Sequence, residues 1–187
     1  MTISSSESAF LLQAATFAAD KHRHQRRKDA AASPYINHPL AVACILSVQG
    51  AVTNPALLAA ALLHDTVEDT DTSLAELEQT FGPTVSALVA EVTDDKSLPK
   101  QVRKTLQIKH AAQASTAAKQ LKIADKIANL REMLADPPAD WPLTRKLEYL
   151  DWAEQVVRGC QGVNTALDAC WEATLSAARA ALEAQTG

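Results

Sequence analysis

Apolar residues recur at helical spacing along most of the chain, and turn or cap residues separate the segments that carry this pattern. The first segment extends over about residues 7–27, where apolar side chains return every three or four positions. A second begins at Pro39, which suits the first turn of a helix, and ends near Gly50. Asn54 followed by Pro55, a capping residue and then a proline, gives the same signal for a third helix.

Similar signals continue to the end of the chain. Ser73 and Glu76 form a capping-box pattern, and Gly82 followed by Pro83 ends the short helix that they begin. Further helices are expected at about 83–94, 101–113, 115–135, 142–160 and 164–184. Because no repeat, low-complexity tract or linker divides the sequence, we predict an all-α fold, a single compact domain over residues 1–187 with about eight helices.

The composition argues against several classes of protein, namely nucleic-acid-binding, thiolate-zinc and membrane-spanning proteins. Aromatic residues make up only 4% of the 187 residues, which agrees with a fold built from alanine-rich and leucine-rich helices. The net charge of −4 argues against general binding of nucleic acid, and the three cysteines form no CxxC pair for a thiolate zinc site. The start of the chain, MTISSSES, is unlike a signal peptide, and no apolar run approaches the roughly 20 residues that span a bilayer. We therefore expect a cytoplasmic protein with no membrane or nucleic-acid partner, and the oligomeric state stays open.

The charged residues are distributed unevenly along the chain. Five of the eighteen basic residues lie in residues 21–28, KHRHQRRK, whereas residues 29–95 contain ten acidic residues and no lysine or arginine. Carboxylates without cations nearby in sequence favour a metal ion, or basic residues from another part of the chain, as the source of compensating charge.

Within this acidic segment an apolar run leads directly into LLHDTVEDT, residues 62–70. On a continuous helix, His64 would lie one turn before Glu68, and Asp65 one turn before Asp69. At a solvated helix end each carboxylate pair would cost only a few tenths of a kcal/mol. Near the core, charges about 4 Å apart would repel by roughly 4 kcal/mol at an effective dielectric of about 20, so the cluster would need protonation, basic partners or a divalent cation.

Two further segments offer donors for a cation. His38 lies in PYINHP, just before a predicted helix, and Asp125 lies in LKIADKIANLR, one turn before Asn129. Taken singly, the histidine is typical of a helix cap or surface residue, and the aspartate of an ion pair. Together with His64 and Asp65 they supply two nitrogen and two oxygen donors, a mixed set that suits Mn²⁺, Fe²⁺ or Zn²⁺ better than Ca²⁺.

The motifs RRKDAAASPYINHP, LLHDTVEDT, EVTDDK and KIADKIANLR occur in this order along the chain. In these residues and their spacing, the chain resembles the HD-superfamily hydrolase domain of the RelA/SpoT family, in particular its small stand-alone alarmone hydrolases. The similarity extends over about residues 9–160. It implies metal-dependent hydrolysis of the alarmone ppGpp or pppGpp at the 3′-diphosphate, giving GDP or GTP and pyrophosphate. Because only one alanine-rich helix follows Asn164, we expect hydrolysis without alarmone synthesis.

The resemblance also implies the site residues. The metal ligands would be His38, His64, Asp65 and Asp125, with Mn²⁺ as the family's usual ion and Zn²⁺ or Fe²⁺ as other candidates. The catalytic pair would be Glu68 and Asp69. The residues in contact with the substrate would be Arg27, Lys28, Asn129 and Tyr149. Without the resemblance, Arg27 and Lys28 would be interpreted as a basic helix end, which the helix dipole stabilises by about 0.3–1 kcal/mol.

Other functions stay open at this point. A second enzymatic candidate is removal of the 2′-phosphate of NADPH, or another HD-type nucleotide phosphohydrolase activity, since each cleaves a phosphate ester of a nucleotide. A third is a nucleotide sensor without turnover, against which the pair of extra carboxylates argues.

One position departs from the family pattern. The family often has glycine two residues before the PY pair, where this chain has Ala32. If that position requires a positive φ, alanine is disfavoured there, and this departure concerns the shape of the PYINHP loop and not the metal site.

Overall fold

The computed structural model describes residues 5–138 and 140–185, and in these residues the backbone forms ten α-helices and no sheet beyond one isolated bridge between Arg26 and Pro34. The helices are α1 (Ser5–Lys21), α2 (Asn37–Cys44), α3 (Pro55–Leu63), α4 (Thr66–Asp69), α5 (Leu74–Phe81), α6 (Pro83–Val92), α7 (Lys100–Ala111), α8 (Thr116–Ala135), α9 (Leu143–Arg158) and α10 (Thr165–Glu183). A π-helical turn, Ile45–Gln49, continues α2. The all-α prediction is confirmed.

Two central helices, α3 and α8, carry the core and the predicted metal donors. All side chains of residues 57–63 in α3 are buried, and the helix packs against α1, α2, α6 and α8. Small alanines in this run let the neighbouring helices approach closely. Helix α8 packs against α2, α6, α9 and α10, and its buried Ile123 and Ile127 flank Asp125. None of the described helices is long and apolar enough to cross a bilayer.

Helix α1 ends at Lys21, six residues before the predicted end near residue 27. Its successor His22 is buried and its ring packs against Tyr35 at 4.8 Å between ring centroids. This contact turns the chain back, and the amide of Arg27 donates to Ser33 O at 2.9 Å. Interpreting Arg27 as the basic end of a helix is therefore wrong, because the loop carries it towards α8.

The chain also breaks at His64 and Asp65, between α3 and α4. The hydroxyl of Thr66 donates to Leu63 O at 2.7 Å and occupies a carbonyl at the end of α3. Asp65 stays one turn before Asp69, whose amide donates to Asp65 O at 2.9 Å. The expectation of one continuous helix through residues 64–69 is therefore wrong, and His64 belongs to a different helix end from the carboxylates that follow it.

Ala32 and Ala51 are the two described residues other than glycine with a positive φ, 47° and 51°. Ala32 lies in a turn held by Asp29, whose Oδ1 accepts the amide of Ser33 at 2.9 Å. The positive φ suspected at this departure from the family pattern is thus present. The side chain of Asp29 holds a backbone conformation that alanine alone disfavours.

The end of the π-helical turn yields a prediction about stability. Gly50 has an ordinary φ of −82°, but an added Cβ would lie 2.8 Å from Leu46 O and 3.0 Å from the side chain of Leu167. Exposed Ala51 takes the left-handed conformation next to it. We expect Gly50→Ala to lower the free energy of unfolding by about 1–3 kcal/mol through overpacking. Ala51→Gly should raise it by about 0.5–1 kcal/mol through relief of backbone strain.

Chemical denaturation of the two variants and the parent protein measures both effects. Each variant serves as the control for the other, since one adds and the other removes a single methyl group at adjacent positions. Shifts of the same sign in both variants would contradict this interpretation of the turn.

Candidate active site

Four side chains from three parts of the chain meet between α2, α3 and α8. His38 lies at the start of α2, His64 and Asp65 lie between α3 and α4, and Asp125 lies in the middle of α8. His38 Nε2 is 3.1 Å from Asp125 Oδ1 and 3.8 Å from Asp65 Oδ2. His64 Nε2 is 3.2 Å from Asp65 Oδ2 and 3.9 Å from Asp125 Oδ1. The two imidazoles are 2% and 6% exposed, so these donors surround one buried point.

The tautomer of His64 is set by the backbone. Its Nδ1 lies 2.8 Å from Ala61 O, and since a carbonyl can only accept, Nδ1 carries the proton. In a neutral ring, Nε2 then presents its lone pair to Asp65 and Asp125. This atom is buried and, although it lies 3.2 Å from Asp65 Oδ2, it has no hydrogen-bond partner among the described residues. A buried, unpartnered lone pair facing two carboxylates fits a cation ligand.

His38 is held from behind by Glu132. The Nδ1 of His38 lies 3.0 Å from Glu132 Oε1, and the same carboxylate pairs with Arg27. A carboxylate that fixes the second nitrogen of an imidazole is a common support for a metal-binding histidine. Glu132 was not among the predicted site residues, although its spacing of seven from Asp125 places both on one face of α8.

Electrostatics agree with a site built for positive charge. Burial disfavours the protonated form of His38, but its hydrogen bonds to Asp125 and Glu132 outweigh burial and raise its pKa to about 9. Burial opposes the charged form of Asp125, yet Lys126 and His38 hold its pKa well below the usual range. A proton on His38 and the basic partners therefore balance the carboxylates when no cation is bound, and a cation would replace that proton.

Glu68 and Asp69 point towards different spaces. Glu68 lines the same cavity as the His–Asp cluster, and burial raises its pKa. Its Oε2 accepts the amide of Asp94 at 3.2 Å. Asp69 faces an adjacent cavity, where it accepts a hydrogen bond from Gln25 at 3.1 Å and pairs with Lys96.

The two cavities adjoin each other. The inner one, of about 160 Å³, contains the His–Asp cluster, and the outer one measures about 570 Å³. Arg27, Tyr35 and Asn129 line both, whereas Lys28 and Tyr149 line the outer cavity alone. Every residue predicted for the site thus lies at one of two adjoining cavities, with the predicted metal donors at the inner one.

Three predicted or neighbouring residues have partners that the sequence did not suggest. Asn129 donates to Asp125 Oδ1 at 2.6 Å and accepts from Arg27 at 3.3 Å, so its amide orients protein groups. Tyr35 donates from its hydroxyl to Asp65 Oδ2 at 2.7 Å. Gln25 links Asp69 to buried His22, whose Nδ1 lies 2.6 Å from Gln25 Oε1. Tyr35 and Gln25 lie in segments already singled out, PYINHP and KHRHQRRK, but only the folded chain gives their partners.

Comparisons with known proteins agree with this geometry. A model of the HD domain family matches residues 14–148. Guanosine-3′,5′-bis(diphosphate) 3′-pyrophosphohydrolase MESH1 of Xenopus tropicalis is 54% identical over 164 residues, covering 88% of this chain and 92% of the relative. The Homo sapiens protein of the same name is 55% identical over 163 residues, covering 87% and 91%.

A solved structure has the same architecture. It is that of a metazoan orthologue of SpoT that hydrolyses ppGpp, and it matches with a TM-score of 0.88 and 46% identity, covering 93% of this chain and 96% of the other. The resemblance seen in the motifs is confirmed: the chain belongs to the HD domain family, among the RelA/SpoT-type hydrolases related to metazoan SpoT.

Proposed function

We propose that this protein is a guanosine-3′,5′-bis(diphosphate) 3′-pyrophosphohydrolase that releases pyrophosphate from ppGpp or pppGpp. The observation that carries the proposal is the buried cluster of two imidazoles and two carboxylates, in which His64 Nε2 has no hydrogen-bond partner among the described residues. The extensive identity to proteins of that name supports the substrate class.

The cluster is proposed to hold one divalent cation through His38, His64, Asp65 and Asp125. Mixed imidazole and carboxylate donors suit Mn²⁺, our proposed ion, and would also accept Fe²⁺ or Zn²⁺. Such a cation, when bound, lowers the pKa of water towards about 7 and stabilises negative charge on phosphorus-bound oxygens.

Glu68 is proposed to accept the proton of the attacking water. It lines the inner cavity together with the cluster, and burial, which raises its pKa, makes it a better proton acceptor near neutral pH. Asp69 is proposed to act at the outer cavity, where Gln25 and Lys96 hold it. The division of roles between the two carboxylates, which the sequence left open, is thus proposed from the space that each one lines.

The outer cavity is proposed to receive the rest of the nucleotide. Arg27 and Lys28 line it and supply positive charge for phosphate groups. Tyr149 and Trp141 lie on its wall, with ring centroids 5.5 Å apart, and offer aromatic faces against which a base can stack. Asn129 is proposed to act at the junction between the cavities by orienting Asp125 and Arg27.

Product analysis tests this function. Purified protein supplied with Mn²⁺ should convert ppGpp into equal amounts of GDP and pyrophosphate. NADPH incubated in parallel tests the alternative, for which orthophosphate would be the product. Binding of ppGpp without any product would instead indicate a sensor and would refute the proposed activity.

A matched pair of isosteric variants tests the assignment of the site. Asp65→Asn should lose the cation and essentially all turnover, because a neutral amide replaces a charged ligand. Glu68→Gln should keep one cation per chain but lower kcat by about 10²–10⁴, the usual contribution of a general base. Elemental analysis after dialysis, together with rates on ppGpp, distinguishes the two effects. Normal metal content in Asp65→Asn, or parental kcat in Glu68→Gln, would contradict the roles assigned here.

A further inference from the structure

The inner cavity contains a buried lysine that the proposed chemistry does not use. Lys122 lies on α8, one turn before Lys126, and is only 7% exposed. It lines the same cavity as the His–Asp cluster and Glu68. Among the described residues it forms neither a hydrogen bond nor an ion pair, whereas the neighbouring cation Lys126 lies 2.7 Å from Asp125 Oδ2.

Such an arrangement is costly without an anion. Moving an ammonium group out of water is unfavourable unless it is paired, and burial together with Lys126 lowers the pKa of Lys122. The carboxylates of Asp125 and Asp94 lie within electrostatic range but do not bond to it. Asp94 instead accepts a hydrogen bond from Gln107 at 2.7 Å. The ammonium group is thus free to bind an anion that enters the cavity.

The basic side chains Arg27 and Lys28, unlike Lys122, are either already paired or outside the inner cavity. Arg27 lies at the junction of the two cavities and is paired with Glu132, and Lys28 lines only the outer cavity. The walls of the inner cavity are partly apolar, since Val92 and Leu121 also line it. Among the described residues that line the inner cavity, Lys122 is the one cation without an ion-pair partner, so it is available to a second phosphate attached to the one that reacts at the cluster.

We propose that Lys122 binds the terminal phosphate of the 3′-diphosphate and so makes the site prefer diphosphate esters to monophosphate esters. This inference rests on the proposed function. In the reaction, water attacks the phosphorus next to the ribose, the bond from that phosphorus to O3′ breaks, and O3′ leaves with a proton. The pyrophosphate formed keeps its terminal phosphate on Lys122, which donates hydrogen bonds and undergoes no covalent change.

The test compares ppGpp with guanosine 5′-diphosphate 3′-monophosphate, which lacks only the terminal 3′ phosphate. Lys122→Met keeps the length of the side chain and removes its charge. We expect it to lower kcat/KM for ppGpp by about 10- to 100-fold, the range for a lost hydrogen bond to a charged group, and to change kcat/KM for the monophosphate less than threefold. Lys122→Arg should retain part of the preference. Lys109→Met, a change of the same type at an exposed position on α7, should behave like the parent.

A binding measurement gives a readout independent of turnover. Pyrophosphate should raise the Tm of the Mn²⁺-loaded parent and of Lys109→Met more than orthophosphate does, and this difference should disappear in Lys122→Met. Equal losses on both substrates, or an unchanged pyrophosphate effect, would overturn the proposal. If Lys122→Met does not fold, an equal effect of pyrophosphate and orthophosphate on the parent would overturn it. A parent that hydrolyses neither substrate would instead refute the proposed function itself.

Discussion

The hydrogen bond between His64 Nδ1 and Ala61 O is the constraint on which the site depends. It fixes the imidazole to the end of α3 and leaves the lone pair of Nε2 facing Asp65 and Asp125. Helix α3 can bring this group into the core because its own side chains are alanines, leucines and one proline, all apolar, and pack on four neighbouring helices. The break after Leu63 then turns the chain so that Asp65, which directly precedes α4, and Glu68 in α4 reach the same cavity. The packing of α3 thereby determines where the chemistry takes place.

Charge balance explains why the acidic segment has no cations of its own. Lys126 on α8 pairs with Asp125, and Lys96 and Arg103 approach Glu68 from the region around α7. Arg27 pairs with Glu132, the carboxylate that holds His38, and it also lies at the junction of the two cavities. Positive charge from distant parts of the chain surrounds the carboxylates without filling the centre of the cluster, where the proposed cation would bind.

Local pattern and motif were enough to predict the all-α fold, most helix starts and ten residues that lie at the two cavities. Asn54 and Ser73, for example, cap their helices as the sequence indicates. It failed where tertiary contacts override helical periodicity. The packing of His22 on Tyr35 ends α1 early, and Thr66 interrupts the helix at residue 64. The partners of Gln25 and Glu132 were likewise out of reach, because they depend on contacts with distant segments.

Calorimetric titration of metal-stripped protein with Mn²⁺ tests the central claim most directly, that this cluster is a cation site. We predict one saturable site per chain. Because the pKa of His38 is raised to about 9, its ring is protonated at pH 7.5, and binding should release protons, visible as a dependence of the heat on the buffer's ionisation enthalpy. Absence of saturable binding, or unchanged binding in His38→Ala, would contradict the account.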